Sequence, residues 1–185
     1  HEGNQGLGLY SYSKDGAVTE RFFADSSRSY DEIRQDIERL SYLNENGMFY
    51  VYQDGAVYGI DLSSKEYMVV ADGLTEETIS SDRTRLAWLE GQGAYEAKTI
   101  HVFNMATGEK QEIQAPEGSV LRTLGFVQGD FVYGLAHPED IWMLNGRAED
   151  IPMYAIQIVD KDLNVQTRYE KQGFYLGSVE VEDSR

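Results

Sequence analysis

Apolar and polar residues alternate along much of this chain, which is the period of a β-strand with one buried face. The segment "VYGIDL" begins at Val57. Its residues Tyr58, Ile60 and Leu62 share one face. Residues 63–65 then read as a polar turn, and "EYMVVAD" supplies a return strand. The pattern predicts a β-hairpin.

The same hairpin pattern occurs three more times. "LGLYSY" turns at "SKDG" and returns as "AVTERFF"; "IHVFNM" turns at "ATGEK" and returns as "QEIQA"; "MYAIQI" turns at "VDKDLN" and returns as "VQTRYE". Ahead of three of these hairpins lies a second strand pair, in "LSYLNENGMFYVYQDG", "ISSDRTRLAWLEGQG" and "LGFVQGDFVYGLA". Each complete unit therefore contains four predicted strands.

The repeat length indicates the fold class. The third strand of each unit starts at position 7, 57, 100 or 153, so the units repeat after 50, 43 and 53 residues. Four strands at this spacing are typical of a β-propeller blade. We predict an all-β, β-propeller-like array of four-stranded antiparallel blades in a single domain over 1–185. The blades are expected at 7–24 (a half-blade), 36–71, 75–115, 119–171 and 173–185 (the first strand of a further blade).

The predicted strands near the two ends leave the array open. Two strands at 7–24 and one in "FYLGSVEVED" make an incomplete closing blade. Such a blade exposes backbone N–H and C=O groups that a closed ring would pair. We therefore expect a fragment of a larger propeller, or an arc completed by other segments.

Strand centres supply the predicted core. Apolar residues at the middle of the repeated strands are expected to lie between blades: Phe49, Val51, Ile60, Trp88, Phe103, Val132 and Ile156. Residues 31–38 fit two interpretations. Ile33, Ile37 and Leu40 recur at helical spacing behind a possible cap at Ser29 or Asp31, yet the same stretch is expected to supply the first strand of its blade.

The charge balance excludes several classes of partner. The chain has 16 Lys and Arg residues against 32 Asp and Glu, a formal net charge of −16, which repels nucleic acid and anionic membranes. It contains no Cys, so disulfides and thiolate metal sites are excluded. No apolar run approaches the roughly 20 residues that cross a bilayer, so we expect no membrane insertion of this segment.

The sequence lacks the common catalytic and metal-binding patterns. It has no G-x-S-x-G, H-E-x-x-H, Walker or EF-hand pattern. His101 shares a predicted strand face with Phe103 and is interpreted as a structural imidazole. The acidic groups at 76–77 and 180–183 are interpreted as solvated loops. We predict no catalysis, no metal and no cofactor.

A long insert, residues 136–152, separates the second and third strands of the last unit, where the first unit needs only "QDGA". In a propeller this connection opens on the face that usually carries the ligand site, so the insert is a candidate lid or recognition loop. Trp and Arg are enriched at binding hot spots. The candidate binding residues are His137, Glu139, Asp140, Trp142 and Arg147. Alternatively, Ile141, Trp142 and Leu144 pack onto their own blade.

The segment "ISSDRTRLAWLEGQG", followed by "KTIHVFNMATGEKQEI", resembles the blade pattern of the TolB-like and WD40-like propellers of bacterial exported proteins. The resemblance extends over residues 36–171. It departs from that pattern at Ser81, where Pro is usual, and at "FVQGDF" in the third blade. It implies a propeller fold and an extracytoplasmic location, at the cell surface or secreted.

These observations favour a non-catalytic binding or scaffold module that holds a protein, peptide or glycan through loops on one propeller face. Two alternatives stay open. The chain is an accessory domain of a hydrolase or peptidase whose catalytic domain lies outside it, or it is a spacer that presents other domains.

Overall fold

The computed structural model describes residues 6–91, 93 and 95–182, and these form β-strands with one α-helix and one 3-10 turn. The chain divides into two compact units, His1–Asp72 and Gly73–Arg185. The prediction of an all-β chain with four-stranded antiparallel sheets is confirmed. Over the described residues, no helix has both the length and the apolar character needed to cross a membrane.

The first unit contains a two-stranded and a four-stranded antiparallel sheet. Its elements are β1 (Gly6–Tyr12), β2 (Val18–Asp25), α1 (Tyr30–Arg39), β3 (Ser41–Leu43), β4 (Met48–Gln53), β5 (Ala56–Asp61) and β6 (Tyr67–Ala71). β1 pairs with β2, and β3 to β6 pair in chain order. Phe49, Val51 and Ile60 of the four-stranded sheet are buried, and Leu9 and Phe22 of the two-stranded sheet pack against them.

Residues 30–39 form a helix because the segment carries its own start signal. The Ser29 hydroxyl accepts a hydrogen bond from the Glu32 N–H, and the Glu32 carboxylate accepts one from the Ser29 N–H at 2.8 Å. Asp36 pairs with Arg28 and accepts a hydrogen bond from the Asp54 N–H at 3.1 Å. The strand interpretation of residues 31–38 is therefore wrong, and the first strand of this sheet begins after the helix.

The second unit contains two four-stranded antiparallel sheets and a separate hairpin. Its strands are β7 (Thr75–Ile79), β8 (Arg85–Leu89), β9 (Thr99–Asn104), β10 (Glu109–Gln114), β11 (Val120–Val127), β12 (Asp130–Ala136), β13 (Trp142–Leu144), β14 (Arg147–Asp150), β15 (Met153–Val159) and β16 (Val165–Glu170). One sheet has the order β7-β8-β9-β10 and the other β11-β12-β15-β16. β13 and β14 pair only with each other among the described strands.

The two sheets of the second unit share one apolar core. Ala87 lies opposite Val102, and Leu89 opposite Ile100, so these four side chains project from the same face of the first sheet. They pack with Phe131 and further residues of the second sheet, namely Leu121, Phe126, Tyr133, Leu135, Ala155 and Val159. Alternation along the strands thus builds the core that the sequence pattern predicts.

Burial agrees with most of the predicted core. Phe49, Val51, Ile60, Trp88, Phe103 and Val132 are buried. Ile156 is half-buried, and its position between blades stays a prediction.

The strand predicted in "FYLGSVEVED" does not form among its described residues. Leu176 makes one isolated bridge to Met153, with N···O distances of 2.9 Å in both directions. β1 and β2 form a sheet of two strands. Position 183, the last residue of the predicted strand, lies outside the described residues.

Candidate binding site

The insert between β12 and β15 folds into a 3-10 turn, Pro138–Asp140, followed by the β13–β14 hairpin. Its tip is the dipeptide Asn145-Gly146, in which both residues have positive φ, 51° and 78°. This backbone is that of a type I′ turn, whose twist matches a two-residue hairpin and which Asn-Gly adopts readily. The insert is therefore an ordered hairpin.

Three consecutive apolar side chains project from β13 into solvent. Trp142, Met143 and Leu144 are 61%, 40% and 47% exposed. The alternative interpretation has Ile141, Trp142 and Leu144 packing onto their own blade. Of these three, only Ile141 is partly buried, against a cluster that includes Val120 and Met153. The alternative that Trp142 and Leu144 pack onto their own blade is wrong, because a two-stranded ribbon buries neither face by itself.

An open groove of about 520 Å³ adjoins the hairpin and carries charges of both signs. Its lining includes Glu76, Tyr95, Arg122, Arg147, Glu149 and Asp150. Within the groove, the Arg122 Nε lies 2.7 Å from the Glu76 Oε1, and both side chains are largely buried. Exposed apolar side chains and a charged groove therefore lie side by side.

Glu76 is held in place by the neighbouring strand β11. It has a positive φ of 47°, and the pairing of β7 with β8 shifts register between Thr75 and Thr78. The Thr123 hydroxyl donates a hydrogen bond to the Glu76 carbonyl oxygen. The interpretation of Glu76 as part of a solvated loop is wrong, since both its side chain and its carbonyl oxygen are bound by β11.

The five predicted binding residues do not form one cluster. Arg147 lines the groove, and Trp142 lies on the exposed face of the hairpin. Glu139 and Asp140 are exposed in the 3-10 turn. His137 stacks on Tyr154, with ring centroids 4.2 Å apart, and its Nδ1 lies 3.4 Å from the Gly118 carbonyl oxygen.

Sequence reasoning missed Glu76, Tyr95 and Arg122 as groove residues. Glu76 and Arg122 are 46 positions apart and come from different sheets, so no local pattern joins them. The hairpin had a usable signal, because Asn145-Gly146 between short apolar and polar runs is a strong hairpin indicator.

His101 is buried away from this groove and serves packing. Its ring centroid lies 5.1 Å from that of Trp88, and its Nδ1 lies 3.1 Å from the Glu112 Oε1 but is poorly aligned for a hydrogen bond. Burial lowers the pKa of His101, and the positive charge of Lys110 lowers that pKa further. The neutral imidazole is the favoured form in the folded state.

The described residues offer no group of three or more His, Asp or Glu side chains that could hold a metal ion. In the groove, two arginines stand among three carboxylates. This arrangement suits ion pairing and hydrogen bonding with a ligand that itself carries charge.

No protein-family model matches this chain, and no curated protein matches it. Among solved structures, the chain is similar to the dipeptidyl peptidase 4 of Porphyromonas gingivalis, with 10% identity and a TM-score of 0.32, covering 91% of this chain and 36% of that one. The chain is also similar to a protein from Lactobacillus plantarum, with 10% identity and a TM-score of 0.34, covering 87% of this chain and 49% of that one. It is similar to Hsv2 of Kluyvelomyces marxianus as well, with 12% identity and a TM-score of 0.27, covering 85% of this chain and 54% of that one.

This chain thus spans between about a third and just over half of the length of these structures. At TM-scores this low the likeness carries no argument about activity or partners. The all-β architecture of four-stranded antiparallel sheets stands on the strand pairing described above.

Proposed function

We propose that this chain is a non-catalytic binding module that holds a protein segment through the β13–β14 hairpin and the adjoining groove. The observation that carries the proposal is the exposure of Trp142, Met143 and Leu144 beside a charged groove. Contiguous exposed apolar side chains rimmed by polar groups are the mark of an interaction surface. Trp142 is the anchor, because Trp is enriched among residues that dominate binding energy.

The chemistry of the surface favours a polypeptide over a glycan. Met143 and Leu144 offer neither donors nor strong acceptors, and they suit apolar side chains better than sugar hydroxyls. The net charge of −16 attracts basic partners. The expected ligand is a segment with one or two large apolar residues next to Lys or Arg, which would pair with the carboxylates of Glu149 and Asp150.

The proposal extends to a propeller arrangement outside the cytoplasm. Each four-stranded sheet is made of strands in chain order, as blades are, with the β13–β14 hairpin inserted between the second and third strands of the last sheet. The location is supported by the resemblance of the repeat to exported propellers. The binding surface would serve a free-standing module or an accessory domain beside an enzyme in the same way.

The test begins with a phage-displayed library of random 12-residue peptides selected on the wild-type chain. Selected peptides are then measured by titration calorimetry against Trp142→Ala and a matched control, Tyr169→Ala, which removes another exposed aromatic residue from β16. We expect peptides that combine apolar and basic residues, and at least about tenfold weaker binding by Trp142→Ala alone. Peptides that bind Trp142→Ala as tightly as the wild type would contradict the proposal.

A further inference from the structure

A cavity of about 210 Å³ lies between the two sheets of the first unit. The β1–β2 sheet forms one wall and the β3–β6 sheet forms the other. The lining residues are Leu7, Phe22, Ala24, Val51, Gln53, Tyr58, Ile60 and Tyr67. Native interiors rarely leave voids much larger than a water molecule, so a space of this size between two packed layers is a candidate ligand site.

Strand pairing places the lining side chains on facing surfaces. In the four-stranded sheet, Val51 lies opposite Tyr58 and Ile60 lies opposite Tyr67, so one face carries all four. The other wall is the face of the β1–β2 sheet that carries Leu7. Elsewhere this face packs directly on the four-stranded sheet. The cavity is therefore a local gap between two layers that otherwise touch.

The described residues that line the cavity carry no charge. Aliphatic and aromatic side chains form most of the lining, and the polar side chains among them are those of Gln53, Tyr58 and Tyr67. Such a cavity selects a ligand of the same character, because an ion would lose its hydration there without gaining a charged partner. The lining therefore favours a neutral, mostly apolar ligand.

An ion pair lies beyond one side of the cavity. An adjoining space of about 20 Å³, which shares Leu7 and Val51 with the cavity lining, is also lined by Arg28 and Asp36. These two side chains pair with each other. A space this small holds about one water molecule, so a larger ligand in the cavity stops short of the pair. Neither charge is available to bind an ionic ligand.

Three aromatic side chains in the lining favour a ring as the ligand. Tyr58 and Tyr67 meet edge to face, with ring centroids 6.2 Å apart and ring planes at 64°, and Phe22 belongs to the other wall. Aromatic rings in edge-to-face or offset contact attract each other beyond the area that they bury. A cavity of about 150 Å³ lined by Leu, Ile and Phe is large enough to bind benzene, so this cavity has room for one or two rings.

We infer that this cavity binds a small, neutral aromatic molecule of one or two rings. The ring lies between the two sheets, and Tyr67 stands at the entrance, since its side chain lines the cavity and is 72% exposed. The Gln53 amide can form a hydrogen bond with a hydroxyl or ring N–H of the ligand. The β13–β14 hairpin belongs to the second unit, so this inference stands whether or not the hairpin binds a protein segment.

Indole is the first probe, because it is neutral, has two fused rings and carries an N–H donor. Titration calorimetry with the wild-type chain measures its affinity, and we expect a dissociation constant on the order of 100 µM for a ligand of this size. The amide chemical shifts of residues 22–24 and 51–60 should change in the same titration. Absence of binding up to about 2 mM indole overturns the inference, and so do shift changes confined to residues 142–147.

Two pairs of matched variants locate the site. Ala24→Leu fills the cavity, and Ala106→Leu adds the same atoms to a half-buried alanine in the turn after β9. Tyr67→Ala removes the entrance ring, and Tyr169→Ala removes an exposed ring from β16. We expect indole binding to weaken at least about tenfold in Ala24→Leu, at least about threefold in Tyr67→Ala and less than about twofold in the controls. Wild-type affinity in both cavity variants overturns the inference.

Further compounds test the class of ligand. Phenol should bind at least about threefold more tightly than cyclohexanol, which has the same hydroxyl on a ring that is not aromatic. Tetramethylammonium, a compact cation, should bind more weakly than indole because the lining offers it no counter-charge. N-acetyl-tryptophanamide presents the indole ring as a peptide does and should also bind more weakly than free indole, since its amide groups lose water at the entrance. Tighter binding of cyclohexanol than of phenol, or of either other compound than of indole, would overturn the inference.

Discussion

The two tryptophans of this chain occupy strands of similar composition and have opposite surroundings. Trp88 in β8 is 4% exposed, whereas Trp142 in β13 is 61% exposed. β8 has a paired strand on each side, and Trp88 lies against His101 with the Lys110 Nζ 5.1 Å from its ring centroid. Among the described strands, β13 pairs with β14 alone. The comparison shows that strand pattern alone does not determine whether an apolar face becomes core or binding surface.

The difference follows from the number of neighbours that a strand has. A residue in the middle of a four-stranded sheet is flanked by side chains of both adjacent strands, which cover much of it before any second layer packs on the sheet. A residue in a two-stranded ribbon has such a neighbour on one side only. The four predictions below test this contrast, from the largest expected effect to the smallest.

Replacing Trp88 with Ala should produce the largest loss of stability. Removing a buried large aromatic side chain leaves a cavity and typically costs about 3–5 kcal/mol. Urea unfolding followed by circular dichroism measures the change, and Trp88→Phe is the matched control, for which we expect a smaller loss. A cost for Trp88→Ala below about 1 kcal/mol would show that this face of β8 is not core.

Breaking the Arg122–Glu76 pair should have an intermediate effect. Arg122→Met leaves the largely buried Glu76 carboxylate without its partner, which we expect to cost about 1–3 kcal/mol. Glu149→Gln changes a neighbouring exposed carboxylate and should cost less than about 0.5 kcal/mol. If the two variants lose equal stability in urea unfolding, the ion pair does not stabilise the floor of the groove.

The buried His101 should make stability depend on pH. Its pKa in the folded state lies below the usual 6.5, chiefly because of burial. As the pH falls below about 6.5, the unfolded chain takes up a proton that the folded chain resists, so the free energy of unfolding decreases until the pH passes the lower folded pKa. The loss is absent at pH 8.

The His101 contribution is isolated by comparing the wild type with His101→Phe between pH 8 and pH 5. Carboxylates titrate in both proteins, so only the difference between the two stability curves reports on the histidine. We expect the wild type to lose more stability than the variant as the pH falls. Parallel curves would contradict the lowered pKa.

Replacing Trp142 with Ala should have the smallest effect on stability. Because the ring is mostly exposed, the free energy of unfolding should change by less than about 0.5 kcal/mol. Tryptophan fluorescence provides a second measurement: Trp142→Phe should remove the solvent-exposed, red-shifted component and Trp88→Phe the buried one. A loss above about 2 kcal/mol for Trp142→Ala would place Trp142 in the core and remove the anchor of the proposed site.

The strand positions could be predicted from the sequence because each strand carries its own alternation and turn. β9 and β15 lie within one residue of the predicted "IHVFNM" and "MYAIQI". The sequence leaves the helix ambiguous, because Ile33 and Ile37 have the spacing of an apolar helix face while the four-strand repeat predicts a strand in the same segment. The capping box formed by Ser29 and Glu32 decides the outcome, and it was readable as Ser followed three residues later by Glu.

The candidate site was only partly predictable. Trp142 and Arg147 were identified from their residue types in a long insert, but Glu76 and Arg122 belong to different sheets. They come close together because the two sheets pack against each other, and the alternation of residues within one strand gives no information about that packing. The stacking of His137 on Tyr154 is of the same kind, because the two residues belong to separate segments of the chain.

The insertion point of the hairpin has a consequence for how binding specificity can change. β12 and β15 pair directly along their length, with Ala136 opposite Met153 at the base of the insert. The hairpin therefore extends from a ladder that is complete without it, and closing a longer or shorter loop there costs little entropy. Residues 142–147, the exposed part of the hairpin, can be exchanged as a cassette while Ile141 and Ala148 keep their contacts with the core, so the same scaffold could acquire a new ligand in evolution or in the laboratory.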